Sequence, residues 1–446
     1  MNTDARRVQL VCFDVHESLI CLADCGYLAY LSAISTLLQM TTSPYADTVE
    51  NQEIVVLDSF QLESGVVLDQ VPVAYKTWGS LNSTCSNAII ICHAISGSSD
   101  AEKWWSSLFG PGMPFDPAVH FIFCGNVLGS PYGTASPCTI DPKTGKPYGP
   151  SFPLATIRDD VRLHKLVLDR LGVTSVMFAI GGSMGGMQVL EWAFFPNFVK
   201  NIVPIATSGR TSAWCIAWGE AQRQAIFCDL KYAGGHYDYN DPPTAGLAAA
   251  RMVALLTYRS RNSFETRFGR SSNQKYTSSA ADNSTVLLSS KESSFSVSPA
   301  EVAHNEGTQV TYSRVAKAAN TNSDIFAAQS YLRYQGDKFN ARFDANCYIA
   351  LTRKLDAHDI SRNRQSFASA LASLTQTALI IGTKPTNLCM DSDGLFTSDD
   401  QYDLGNGMPN ANVVILESGE GHDGFLLEVE QMRDLLGDFI KKHSAV

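Results

Sequence analysis

Ser183, Asp393 and His422 have the side chains and the settings that nucleophilic catalysis needs. Ser183 stands in Gly181-Gly-Ser-Met-Gly-Gly186, with the apolar run Val176 to Ile180 leading in and the helix-forming Gln188-Val-Leu-Glu-Trp-Ala193 leading out. A serine at the apex of a tight strand-to-helix turn takes a strained backbone that projects its hydroxyl. Gly181 lets the strand and helix backbones approach, and Gly185 clears the space facing the serine. A hydroxyl is a weak nucleophile, so it needs a base to take its proton and a carboxylate to orient that base. The chain has nine histidines, so order and position must choose among them. His422, in Glu420-Gly-His-Asp-Gly-Phe425, follows the last apolar run. Asp393, in Asp391-Ser-Asp-Gly-Leu-Phe396, follows the preceding one and is the expected acid. Asp391 is its rival, and a loop aspartate beside Asp399 and Asp400 also suits a helix cap. A histidine between glycine and aspartate equally suits a surface turn. An acyl oxyanion needs two convergent donors: the Met184 backbone N–H, and Ile95 or its neighbours in the loop after His93, with the Ser96 hydroxyl as a further donor. His93 itself reads as a loop-orienting residue. The chemistry indicated is acyl transfer through a covalent serine intermediate.

The elements that must hold these residues follow from hydrophobic periodicity. Glu53 to Leu57, Phe60 to Ser64 and Val71 to Lys76 read as early antiparallel strands. Asn87 to His93, Phe121 to Cys124, Val176 to Ile180, Ile202 to Ala206, Ala378 to Ile381 and Val413 to Leu416 are continuous apolar runs, as expected for strands buried on both faces. Thr156 caps an amphipathic helix that ends at Gly172, with Asp159 and Asp160 in its first turn. Strands alternating with helices predict a mostly parallel central sheet flanked by helices, and with the serine turn this is the α/β-hydrolase arrangement. The expected organisation is a core over 43–209 and 375–446, interrupted by a helical lid over 210–374. Within that lid, about 271–321 is rich in Ser, Asn and Thr and is expected to be disordered. Residues 1–42 are expected to form a poorly ordered extension. Leu19 to Met40 is apolar but interrupted by Asp24 and Gly26, which suits neither a targeting peptide nor a membrane span.

Composition narrows the function classes. At 446 residues, 45% hydrophobic and 17% charged, the chain can bury a large core. A net charge of -10 with no basic block argues against nucleic acid as a partner. The eleven cysteines are scattered without zinc spacing, so no metal is expected, and free thiols point to a reducing, cytoplasmic compartment. Gly125 to Gly133 lacks the spacing of a P-loop or a dinucleotide fingerprint.

Cys92-His-Ala-Ile-Ser-Gly-Ser-Ser99, Gly125-Asn-Val-Leu-Gly-Ser-Pro-Tyr-Gly133, Phe152 to Asp160, the serine turn and Gly421-His-Asp-Gly424 together resemble the homoserine O-acetyltransferase family in its fungal form. Leu255 to Ser260 and Asn346 to Arg353 resemble that family's lid. The resemblance spans about 43–442. It implies acetyl-CoA as co-substrate, an acetyl-Ser183 intermediate, L-homoserine as acceptor, a place in methionine biosynthesis, no permanently bound cofactor, and a homodimer formed through the lid. It also implies that Arg251 holds the acceptor's α-carboxylate and Asp423 its α-amino group. Arg210 is a further candidate at the pocket entrance. The alternatives are the same chemistry on L-serine or on an alcohol such as deacetylcephalosporin C, or simple ester hydrolysis. The loop here reads His-Ala-Ile-Ser-Gly where the family commonly has leucine and threonine at the third and fourth positions. Ile95 would donate through its backbone, so that change should matter little.

Overall fold

A computed structural model describes residues 43–271, 326–384 and 392–444. The expectations for residues 1–42 and about 271–321, and the rival acid Asp391, therefore fall outside the described residues, apart from Ser271. Eight strands form one sheet: β1 (Glu53–Gln61), β2 (Val67–Trp78), β3 (Ala88–Cys92), β4 (Phe121–Gly125), β5 (Val176–Gly182), β6 (Val199–Ile205), β7 (Thr377–Lys384) and β8 (Ala411–Glu417). Their spatial order is β1-β2-β4-β3-β5-β6-β7-β8. β1 pairs with β2 and β2 with β4 antiparallel, while every pair from β4 through β8 is parallel. The two strands expected at Glu53 to Leu57 and Phe60 to Ser64 join as the single strand β1, which ends at Gln61, with Glu63 and Ser64 in the turn that follows. Asp58 and Ser59 keep their extended backbone, and Ser59 stays in register with Asp69.

The sheet is covered on both faces, which is why its central strands carry apolar residues at successive positions. In β3, Ala88, Ile90 and Cys92 join one core with Val161 and Val167 of α1 (Ile157–Arg170) and Val189 and Trp192 of α2 (Met184–Trp192). Ile89 and Ile91 point the other way, into a core with Trp105, Phe115 and Phe425. Met432, Leu436 and Ile440 of the closing helix Val429–Ser444 complete it, spaced at single helical turns. Helix α1 begins where expected, on a capping box in which Thr156 and Asp159 satisfy each other's backbone N–H.

Between β6 and β7 the described chain is helical. It contains α3 (Ala213–Phe227), α4 (Thr244–Tyr258), α5 (Ala327–Asn340) and α6 (Ala345–Asp356). The helical run is interrupted after Phe227, where Ala233 and Gly234 take positive φ. The chain clusters into two units: 1–260 with 336–446, and Arg261–Gln335. The smaller unit holds an aromatic group of Phe264, Phe268 and Tyr331. Within the larger unit, Ile226, Leu247, Ala250, Phe339, Tyr348 and Leu351 share a third core with Ile95, Met184 and Phe396, so helical-segment residues pack against loops at the strand C-termini. The acid-bearing loop then enters α7 (Ser398–Gly407) on a second capping box, Thr397 with Asp400.

Candidate active site

Ser183 follows β5 directly and has φ 59° and ψ −124°, in the left-handed half of backbone space. Such a conformation costs a non-glycine residue about 1–3 kcal/mol and persists only where its surroundings over-determine it. They do so here. Ser183 N donates to Ile205 O at 2.9 Å, and Thr207 Oγ1 donates to Ser183 O at 2.8 Å. A Cβ on Gly185 would stand 2.1 Å from the Cys92 carbonyl oxygen, so no other residue fits there. A Cβ on Gly182 would meet the Phe425 ring at 2.4 Å.

Asp393 and His422 are brought together from the loops after β7 and β8. His422 Nδ1 and Asp393 Oδ2 are 2.9 Å apart, and both residues are buried. The other oxygen of Asp393 accepts from Leu395 N at 2.9 Å and Phe396 N at 3.0 Å, which fixes the carboxylate's plane. Three rings enclose the imidazole: Phe396 at 5.3 Å, Phe425 at 5.6 Å and Tyr258 at 6.0 Å between centroids. Phe425 thus touches both the serine turn at Gly182 and His422, joining the two parts of the site. Burial alone would pull the His422 pKa down. The charge and hydrogen bond of Asp393, with Asp423 adding, outweigh it and raise the pKa above the ordinary histidine value. An imidazole held by a carboxylate at Nδ1 keeps Nε2 as its proton-accepting atom.

Met184 N is the first amide of α2, at a helix end whose N–H groups lack intrahelical partners. Ile95 is buried in the loop after β3. His93 orients that loop: Nδ1 lies 2.8 Å from Ala94 O, and Nε2 accepts from Val127 N at 3.3 Å. Burial pulls the His93 pKa down to about 4, so the ring is neutral at physiological pH, with its proton on Nδ1 by this bonding pattern.

Arg251, on α4, lies against two rings, Phe339 at 5.0 Å and Tyr258 at 5.5 Å. Its Nη1 is buried with no hydrogen-bond partner, and no carboxylate pairs with Arg251 among the described residues. A buried guanidinium N–H left without an acceptor is costly, and an anion would complete it. Asp423, next to His422, faces Arg259 Nε at 3.1 Å, and Arg259 also pairs with Glu420 at 2.5 Å. Arg210 instead lies in a half-exposed ion pair with Asp359 at 3.1 Å, stacked over Phe367.

Several residues around the site were not singled out in the sequence: Thr207, Tyr258, Phe425 and Arg342. Thr207 and Phe425 follow a core strand and the candidate base, so position alone could have flagged them; Arg342 carried no local signal. Elsewhere, ligand-type atoms of Cys138, Asp344 and Cys347 lie within 4.8 Å of one another in the interior. Asp344 accepts from Cys347 N at 2.9 Å and Tyr237 OH at 2.5 Å, and the two sulfurs are 3.6 Å apart. Burial raises both thiol pKa values.

A family model described as the alpha/beta hydrolase fold matches residues 87–429. A homoserine O-acetyltransferase of Gibberella fujikuroi is 50% identical over 407 residues, covering 89% of this chain and 90% of the relative. One of Ascobolus immersus is 45% identical over 467 residues, covering 90% of this chain and 89% of the relative. Among solved structures, a homoserine O-acetyltransferase from Bacillus anthracis is similar with a TM-score of 0.71 at 22% identity, covering 87% of this chain and 97% of that one. Esterase E22 is similar with a TM-score of 0.69 at 24% identity, covering 87% and 99%. At those identities the two structures speak to the fold alone. The sequence relatives carry the narrower conclusion: this chain belongs to the homoserine O-acetyltransferase family, on the α/β-hydrolase fold.

Proposed function

We propose that this protein transfers an acetyl group from acetyl-CoA to the side-chain hydroxyl of L-homoserine through an acetyl-Ser183 intermediate. In the first half, Ser183 Oγ attacks the thioester carbonyl while His422 Nε2 takes its proton. Met184 N–H and Ile95 N–H hold the oxyanion, and the leaving CoA sulfur receives the proton from His422. In the second half, the homoserine hydroxyl gives its proton to His422 and attacks the acetyl-serine carbonyl. The new ester leaves as Ser183 regains its proton. Asp393 keeps the imidazole oriented and stabilises it when charged. Helices α3, α4 and α6 act as the lid over the strand ends, and Arg251 of α4 binds the acceptor carboxylate while Asp423 receives the ammonium.

The observation that carries the acceptor assignment is Arg251 Nη1, buried and without a hydrogen-bond partner among the described residues, beside the Tyr258 ring that lies 6.0 Å from His422. Water, the acceptor of an esterase, brings no negative charge to pair with that guanidinium. A homodimer through the helical segment is supported by its exposed apolar side chains, Trp214, Leu230 and Leu256. Sedimentation of the purified protein tests it, and a monomer at micromolar concentration would exclude it. A cytoplasmic setting is supported by the free thiols among the described residues, including the unjoined Cys138 and Cys347. No helix among those residues is long and apolar enough to cross a membrane. The deciding experiment supplies acetyl-CoA with homoserine, serine or no acceptor and follows CoA thiol release, with Ser183→Ala as the blank. Homoserine is expected to give the highest kcat/KM, and no rate above background with it would overturn the assignment.

A further inference from the structure

The loop carrying the Ile95 N–H is tied at three places. Ala94 O accepts from Gly97 N at 2.8 Å as well as from the His93 ring. Because C=O and N–H point opposite ways across a trans peptide, anchoring Ala94 O aims the Ile95 N–H. At the far end Ser99 N donates to Asn126 Oδ1 at 2.7 Å. The middle is held from outside the loop: Arg342 Nη1 donates to Ser96 O at 2.8 Å and to the Tyr132 hydroxyl at 2.7 Å. One guanidinium nitrogen carries two hydrogens, so it makes both bonds at once.

Tyr132 is a fixed anchor. It is buried, its backbone oxygen accepts from Gln52 Nε2 at 3.0 Å and Asn126 Nδ2 at 2.9 Å, and its ring meets Phe343 edge-on at 5.8 Å. Arg342 lies over Phe339, with 5.1 Å from its guanidinium carbon to the ring centroid. Among the described residues it has no carboxylate partner, whereas Arg158, Arg223, Arg259, Arg362 and Arg364 each have one. Among the described residues the polar contacts of its side chain are the loop carbonyl and the phenol, so its positive charge faces the loop.

We infer that Arg342 is a positioning residue for the oxyanion site: it clamps Ser96 O to Tyr132 and so holds the Ile95 N–H where the tetrahedral oxyanion forms. Its charge adds positive potential on that side of the site. Arg342 lies between α5 and α6, so the geometry of the oxyanion loop depends on the helical segment being in place. This inference rests on the reading of Ser183 as nucleophile and Ile95 as donor.

The test uses the full-length protein and p-nitrophenyl acetate, which acylates Ser183 without any amino-acid acceptor. Arg342→Ala is expected to slow the acylation burst about 10- to 100-fold, as misplacement of a catalytic group does. Under acetyl-CoA, kcat should fall in parallel while KM for homoserine stays within about threefold. Arg342→Lys, which keeps charge and donors, should recover part of the loss, and Arg342→Gln, which keeps a donor without the charge, should recover less. An unchanged burst in Arg342→Ala, or a loss confined to homoserine KM, would overturn the inference. If the alanine variant does not fold, Arg342→Lys decides, and a wild-type burst in a folded lysine variant counts against it. A burst that survives in Ser183→Ala would instead sink the nucleophile assignment, so the two failures are distinguishable.

Discussion

The backbone of Ser183 is held in a conformation its side chain disfavours, and the chemistry proposed for it explains why that conformation is kept. Ser183→Ala is expected to fold with wild-type stability and lose essentially all acetyl transfer, measured as CoA release. Asp393→Asn leaves a hydrogen-bonding shape but no charge. By analogy with a serine–histidine–aspartate system, kcat should drop by about four orders of magnitude. The pH profile follows from His422. Its pKa is raised, and only the neutral ring can accept the serine proton, so kcat/KM should fall as pH drops through a value above the ordinary histidine range. Asp423 contributes to that rise, so Asp423→Asn should move the acid limb to lower pH. The same variant should raise KM for homoserine more than it lowers kcat, which separates acceptor binding from base tuning.

At the scale of elements, a buried ion pair ties α6 to α1. Lys354 Nζ, on α6, donates to both oxygens of Asp160 on α1 at 2.7 and 2.6 Å and to Leu128 O at 2.7 Å. Asp160 also accepts from Leu128 N at 2.9 Å, so the same carboxylate shapes the loop after β4. Burial raises the Asp160 pKa and lowers that of Lys354, while each partner's charge works in the opposite sense. Removing one partner strands the other. Lys354→Met is expected to cost roughly 3–5 kcal/mol in urea unfolding, and adding Asp160→Asn should recover part of that. A loss below about 1 kcal/mol would mean that water reaches the carboxylate.

Across the whole molecule, three histidines are buried in neutral form, and two of them, His93 and His164, lie close enough for each to oppose the other's charge. Burial pulls His93, His164 and His358 each down to about 4, and their rings bond to Ala94 O, Asn126 O and Ser208 O. The unfolded chain binds protons at these sites from about pH 6.5 downward, whereas the folded chain does so only near 4. Their contribution to stability is therefore complete above that upper value and is lost as pH falls toward 4, each on the order of a few kcal/mol. Urea midpoints measured across this window should fall steeply with acidification. His358→Asn should give a flatter profile than the wild type.

The order of serine, acid and histidine, the glycine pattern of the strained turn, and the apolar runs of β3 to β8 were legible in the sequence because each obeys a local rule. A buried strand must be apolar along its length, and a Cβ cannot occupy the space that Gly185 leaves open. The length of β1 and the break after Phe227 were not legible, because cross-strand pairing and a positive φ at Ala233 decide them. Nor could local pattern show that Arg210 pairs with Asp359 at the surface while Arg251 keeps a buried nitrogen unpaired. Both are arginines in helical or strand-end contexts, and the fold decides that Arg210 meets Asp359 and Phe367 while Arg251 meets Phe339 and Tyr258. Arg342 makes the same point most clearly, reaching Ser96 across 246 positions. The sequence by itself determined which groups exist and which element carries each. The tertiary structure decided which of them meet, because a long-range contact depends on the burial and topology of the whole sheet and its covering helices.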